Sequence, residues 1–289
     1  MNSTASSTRW LAILMAVVVL SSACGGSGAG SVTTTDRWES IGNPNADVVV
    51  VNAQGGPTPQ LETGEFAGIF GSVDDESVLV LNVHQAQTLD PDRFTAADLT
   101  FDEAITADQE SVALLAAVVD EFQGQGKLVY VVGISFGAFI VQELLVTQGN
   151  VADGYLIEVG RLAMPDEVWM EFAEGRFAGF ADGTDVLPVP IEEAGMGAGS
   201  PAGDRNMARL AAGLGQRRYL ELLNNIDLSN VIYAYGETDE QVGRLTDAEV
   251  EFLNDHDAMV LVGNGGHGDT IDQFTNQALR TLLGSDFVS

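Results

Sequence analysis

Residues 127–146 read KLVYVVGISFGAFIVQELLV, and the order of residue types in that stretch decides the fold. A short apolar run, Leu128 to Val132, meets a glycine-containing turn, and FGAFIVQELLV then continues with helical spacing. An apolar run bounded by a turn reads as a buried strand, and the segment after it reads as the helix packed on that strand. Gly133-Ile134-Ser135-Phe136-Gly137 stands at the junction. A serine that attacks a carbonyl must project from a sharp turn, so that its oxygen clears the backbone. Small residues on both flanks let the helix pack closely against the strand. Ser135 is the candidate nucleophile.

Outward from this junction the same rhythm recurs. DVVVV (47–51), SVLVLNV (77–83), GYLIEV (154–159), VIYAY (231–235) and AMVLV (258–262) are further strand-like runs. Between 104 and 122, Ile105, Val112, Leu115, Val119 and Phe122 fall at helical spacing, and Thr100 with Glu103 forms a capping-box pattern. Thr246 to Glu249 opens a short helix, and residues 269–283 form a closing one. Continuous apolar strands alternating with amphipathic helices predict an α/β, doubly wound, mostly parallel sheet covered on both faces, spanning residues 47–289. Residues 160–225 break the rhythm with two helical patterns, about 165–178 and 204–224, around a Pro/Gly-rich middle without an evident strand. This is read as a cap insertion. Its Met164, Trp169, Met170, Phe172, Phe177 and Phe180 fit the core face of the cap first and the lining of an acyl pocket second.

The chain holds three histidines. His267 lies in VLVGNGGHGDT directly after the last strand, where flexible glycines let an imidazole reach over the sheet edge, and it is the candidate base. His256, between Asp255 and Asp257, reads as a surface residue, and His84, at the end of the second strand, is a candidate for lining the site. A histidine base needs a carboxylate that fixes its tautomer and stabilises the imidazolium. Asp239, in VIYAYGETDEQVG just after a strand, has the position for that role; Glu237, Glu240 and Glu158 remain alternatives.

In the order Ser135, Asp239, His267 the sequence resembles the α/β-hydrolase fold superfamily, and the matching elements cover about residues 45–285. The resemblance implies an oxyanion-binding loop after the first of these strands, often written His-Gly-Gly-Pro or His-Gly-x-x. Gln54-Gly55-Gly56-Pro57 stands there, so a backbone N–H of Gly55 or Gly56, together with that of Phe136, is expected to bind the oxyanion, with Gln54 in place of the frequent histidine. The string is similar to that of the proline iminopeptidase branch. The Asp-Gln-Arg-Gly-type turn of that branch is absent, and Asn82-Val83-His84-Gln85-Ala86 occupies its place. The resemblance implies a serine hydrolase acting on a small-molecule ester or amide, with no metal or organic cofactor. Peptidase, cofactor-free lyase and haloperoxidase chemistry reuse the same triad, and a surface lipoprotein that uses the fold only for binding is the alternative from another class.

The amino-terminal segment reads as an address. Arg9 precedes WLAILMAVVVL (10–20), which is too short to cross a bilayer but suits a signal-peptide core. Ser21, Ser22 and Ala23 then lead into Cys24, the only cysteine, followed by a Gly/Ser-rich tether and an irregular lead-in to residue 46. This resembles the lipobox of bacterial lipoproteins, with Ser21 in place of its usual leucine. It implies a signal peptide of residues 1–23, lipidation of Cys24 and anchoring in the bacterial envelope. Ordinary cleavage after Ala23 or Ala29, releasing a periplasmic or secreted protein, is the other reading.

Composition narrows the partners. The 289 residues are 45% hydrophobic, enough for a large core, and carry 42 acids against 12 bases, a formal charge of −30. The acids form no long run, and the bases do not cluster beyond Arg217-Arg218, which argues against a nucleic acid partner. No dinucleotide-binding or P-loop glycine pattern follows the first strand. A field of this sign disfavours polyanionic substrates and favours neutral or cationic ones. The same acidity fits solubility in a saline setting.

Overall fold

The computed structural model describes residues 32–190 and 197–289; the expected signal peptide and Cys24 lie outside the described residues. The strands are β1 (Thr33–Thr34), β2 (Trp38–Gly42), β3 (Val48–Ala53), β4 (Val78–Val83), β5 (Leu128–Ile134), β6 (Gly154–Glu158), β7 (Phe177–Ala181), β8 (Asp185–Val189), β9 (Val231–Gly236) and β10 (Met259–Gly263). Eight of them form one sheet in the order β1-β2-β4-β3-β5-β6-β9-β10. From β4 to β10 every neighbouring pair is parallel, while β1 and β2 run antiparallel at one edge.

Every strand-like run outside the insertion forms a strand of this sheet, and the reason is burial on both faces. Val49, Val51, Val129 and Val131 point into a core shared with helices α4 (Phe101–Gly124) and α5 (Phe136–Gln148). Their alternates Val48, Val50 and Val132 point into a second core with α1 (Thr63–Ile69) and α10 (His267–Leu283). With no solvated face, such strands need no polar alternation. The connecting helices start where the capping residues predict. Thr100 and Glu103 bond reciprocally at the start of α4, and Thr246 and Glu249 do the same for α9 (Asp247–Asp255). Two very short helices, α2 (Ala86–Leu89) and α3 (Pro91–Thr95), follow β4.

Two expectations are corrected. The lead-in before residue 47 is not irregular throughout: β2 pairs with β4 from Trp38 opposite Val83 to Gly42 opposite Leu79. Glu39 and Ser40 are half-buried, Ile41 is buried and Trp38 packs edge-on against Phe122, so one short strand of mixed residues gives little apolar signal. The insertion also contains strands. β7 and β8 form an antiparallel hairpin across a three-residue loop, Asp182-Gly183-Thr184, in which Asp182 and Gly183 have positive φ and the N–H of Thr184 donates to the carbonyl of Ala181 (3.0 Å). FAGFA and DVLPV lack a β-branched run, and Pro188 is tolerated there because β8 is an edge strand. The insertion also carries the helices α6 (Asp166–Ala173), α7 (Pro201–Gly215) and α8 (Tyr219–Leu222). Met164, Phe177 and Phe180 are buried, as a core face requires, whereas Met170 is exposed.

Candidate active site

The turn between β5 and α5 is built by exclusion of side chains. A Cβ on Gly137 would overlap the carbonyl oxygen of Ala53 at the end of β3, and one on Gly133 would run into the main chain of Gly137 and the side chain of Val141. Only glycines let the helix begin this close to two strands. Between them Ser135 has φ 55° and ψ −116°, a strained conformation for a residue with a Cβ. Two bonds hold it: its N–H donates to the carbonyl of Glu158 (2.9 Å), and its own carbonyl accepts from the N–H of Ala138 (3.0 Å). The side chain is half-buried at the carboxyl edge of the sheet.

The loop after β3 lies against this turn. A Cβ on Gly55 would stand 3.4 Å from Cβ of Ser135. Phe136 is the first residue of α5, so its N–H has no partner within the helix. Gln54 is buried, and its side chain organises the loop. Its amide donates to the carbonyl of Gln60 (2.9 Å), its Oε1 accepts from the N–H of Glu62 (2.9 Å), and its carbonyl accepts from Nε2 of Gln85 (2.9 Å). Asn82 reaches the same Oε1 (3.3 Å) and accepts from Asn52 (2.9 Å). Asn52, Asn82 and Gln85 escaped sequence reasoning. The available signal was polar residues closing two otherwise apolar strands, a pattern that buried polar groups produce only when bonded to one another.

Asp239 and His267 form a buried pair. Nδ1 of His267 donates to Oδ2 of Asp239 (2.8 Å), and Oδ1 of Asp239 accepts from the N–H groups of Gln241 (2.8 Å) and Val242 (3.0 Å). This fixes the tautomer that leaves Nε2 free. Burial alone would lower the pKa of His267; the charge and hydrogen bond of Asp239, with Glu240 and Glu65 behind them, outweigh it and raise it. The turn that carries the acid is clamped in its own right. Buried Arg161 donates to the carbonyls of Val242 (3.3 Å) and Ala163 (3.1 Å) and sits 3.7 Å from Glu249, whose Oε1 in turn accepts from the N–H groups of Leu162 (3.0 Å) and Ala163 (2.9 Å).

Strand order brings the parts together. β3 and β10 are four positions apart with β5 between them, yet Glu65, on the helix after the β3 loop, and His267, after β10, feel one another's charge. The two arms converge over the end of β5, where Ser135 stands. Among the described residues Ser135 Oγ and Nε2 of His267 are not joined by a hydrogen bond; in free enzymes this link is often open and closes with substrate. The side chains of the other candidates make different bonds. His84, just past the end of β4, bonds Thr88 (3.0 Å), and burial lowers its pKa against a weaker opposing pull from Glu39. His256 caps α9 and bonds the carbonyls of Phe252 (2.8 Å) and Asn224 (3.1 Å). Glu158 bonds Thr275, and Glu240 accepts the backbone N–H of His267 (3.2 Å), so neither holds the imidazole. A cleft of about 450 Å³ near Phe70, Asp74 and Val288 lies at the amino end of the strands and contains none of these residues.

No model of a known protein family matches the chain, and no curated protein does. Solved structures do. MGS-M2, an alpha/beta hydrolase enzyme from a Medee basin deep-sea metagenome library, superposes with a TM-score of 0.58 at 15% identity, covering 90% of this chain and 99% of that one. The chain has the α/β-hydrolase fold. A lipase-esterase related protein from Clostridium acetobutylicum is similar at a TM-score of 0.54 and 12% identity, over 88% of this chain and all (100%) of that one. Proline iminopeptidase from Mycobacterium smegmatis gives 0.53 and 17%, over 88% and 96%. At such identities the likeness establishes the α/β-hydrolase fold and leaves the chemistry to the site.

Proposed function

We propose that this protein is an exported serine hydrolase that cleaves an ester or amide bond through an acyl-enzyme on Ser135. One observation carries the reading: a serine in a left-handed turn, with a glycine loop packed against it, at the same sheet edge as a buried, hydrogen-bonded Asp239–His267 pair. A fold used only for binding has no physical need of that combination.

In this reading Ser135 Oγ attacks the carbonyl carbon while Nε2 of His267 takes its proton. The oxyanion is met by the N–H of Phe136 and that of Gly55 or Gly56, where loss of one donor costs about 3 kcal/mol of barrier. The bond to the leaving group breaks, and the imidazolium gives its proton to the departing oxygen or nitrogen. Water then attacks the acyl carbon, His267 takes a proton from it, and the acid leaves as that proton returns to Ser135. Asp239 holds the imidazolium throughout. No step asks for a metal or an organic cofactor. Glu65 and Glu240 beside His267 favour neutral or cationic small molecules.

A fluorophosphonate probe tests the reading without knowledge of the substrate. An adduct mapped to Ser135 and lost in Ser135→Ala supports it; a folded, monodisperse protein that takes no label overturns it in favour of a binding role. Export and the anchor on Cys24 rest on residues 9–24 of the sequence. Among the described residues no helix is long and apolar enough to cross a membrane. Incorporation of labelled palmitate in a bacterial host, lost in Cys24→Ser, is the expected result for an anchored form.

A further inference from the structure

Glu158 ends β6, between Ile134 of the nucleophile strand and Ala234 of β9, and none of its surface is exposed. Its carbonyl takes the N–H of Ser135. Its carboxyl has one contact, Oε2 at 2.7 Å from Oγ1 of Thr275, while Oε1 has no partner. Thr275 Oγ1 lies equally close, at 2.8 Å, to the carbonyl of Ile271. A hydroxyl owns one proton, and a carbonyl can only accept. If the carboxyl were ionised, two acceptor oxygens, Oε2 and the Ile271 carbonyl, would compete for that single proton, and one of the two close contacts would hold none. A proton on Glu158 resolves the count: the acid donates to Thr275, and Thr275 donates to Ile271. Burial acts in the same direction, pushing the carboxyl up to about 8 against the smaller pull of the Thr275 bond, with Asp272 adding to the rise. Asp272 is the charged group that faces it from α10, and its strand neighbours Ile134 and Ala234 are apolar.

His267, Ile271 and Thr275 follow one another at intervals of four on α10 and so share one face of that helix. We infer that Glu158 works as an uncharged carboxylic acid whose O–H fastens the helix carrying His267 to the strand whose carbonyl holds Ser135, making it a positioning residue of the site. The inference rests on the proposed triad. Loss of the proton in alkali replaces a donor by a charge that faces another carboxylate, and the two halves of the site loosen.

The experiment measures the rate of fluorophosphonate labelling of Ser135 against pH in the full-length protein, its Glu158→Gln variant and its Thr275→Val variant. The wild-type rate should decline above pH about 8, which ordinary ionisation of His267 does not produce. Glu158→Gln, whose amide donates as the acid does, should label within about threefold of wild type at pH 7 and lack the alkaline decline, while Thr275→Val should label about tenfold more slowly. A Gln variant slowed a hundredfold at pH 7, or one that keeps the decline, overturns the inference. In parallel, carbon-13 NMR of wild-type protein labelled at glutamate Cδ should show one carboxyl that stays protonated at pH 7; absence of such a signal overturns the inference even where a variant does not fold. A protonated glutamate without any label on Ser135 would instead bring down the hydrolase reading and the positioning role with it.

Discussion

The turn around Ser135 and the arm that presents His267 solve one problem by different physics. The turn is fixed by hard-sphere limits: two glycines, each with another backbone where a side chain would be, force a serine into a conformation that its own Cβ disfavours. The arm is fixed by buried polar groups drawn from distant segments. Asp239 is held by its own turn, that turn by Arg161, and Arg161 by Glu249 from α9. A steric device tolerates no substitution and needs no partner. A polar device tolerates partial loss, because each group has several bonds, but it fails in steps that pH and charge can drive.

The sharpest way to break the comparison is at the glycines. Gly137→Ala places a methyl group on the Ala53 carbonyl, where only backbone can move, and is expected to abolish the folded protein; circular dichroism of the purified variant checks it. An alanine variant with wild-type thermal stability would show that the junction yields and that the steric account is wrong. Chemistry comes next. Ser135→Ala should leave the melting temperature unchanged and lower turnover by on the order of 10⁶, and Asp239→Asn by on the order of 10⁴. The two also differ in pH dependence. In the proposed mechanism neutral His267 is the base, so kcat/KM should fall as pH drops through its folded pKa, which Asp239 holds above 6.5. In Asp239→Asn the opposing effect of burial dominates, and the acid limb of the residual activity should move to lower pH. The linkage has the matching sign: a raised histidine pKa adds stability that is complete below pH 6.5 and is lost as pH rises through the folded value.

This division also explains what the sequence disclosed. Gly-x-Ser-x-Gly is a local steric code, written within five residues, and with continuous apolar runs such as Val48–Val51 elsewhere in the chain it made the parallel sheet and the strained turn at Ser135 legible. Asp239 and His267 were legible through position, each just past a strand on the edge that Ser135 occupies. Arg161, Glu249 and the Gln54–Asn82–Gln85 network were not. Each joins residues tens of positions apart, and a single arginine or asparagine looks the same in sequence whether buried or solvated. The β7–β8 hairpin was hidden for another reason, since alanines, glycines and a proline take the place of the β-branched residues that mark a strand.

Arg161→Met tests the polar device at its root. The thioether fills the cavity but leaves Glu249 without its guanidinium and the Val242 carbonyl without a donor. Removing one member of a buried pair typically costs about 3–5 kcal/mol, here at the low end because Glu249 keeps its bonds to Leu162, Ala163 and Thr246. Denaturant unfolding gives the cost. Turnover should fall further than stability alone accounts for, because the Asp239 turn loses its clamp. Unchanged turnover at a temperature where the variant is fully folded would mean that Asp239 needs only its own loop.

The smallest effect expected is on selectivity, where the two regions meet. Glu65 stands on the first turn of α1, just past the loop that packs on Ser135, and its charge reaches His267. It is accessible to solvent, yet its surroundings raise its carboxyl, chiefly by desolvation and then by Glu62, with His267 pulling the other way. Among the described residues no arginine pairs with it, so a cationic substrate group is the natural counter-charge. Esters of equal shape, one bearing an ammonium and the other a methyl group, isolate this contribution. Glu65→Gln should lower kcat/KM for the cationic ester by about threefold to fivefold, as expected for an exposed charge, and leave the neutral ester unaffected. The preference should also shrink in wild type as salt is raised, because an exposed interaction is screened. A preference that survives both the substitution and high salt would have to arise from Glu240, whose carboxylate is fixed against the backbone of His267 and belongs to the buried arm.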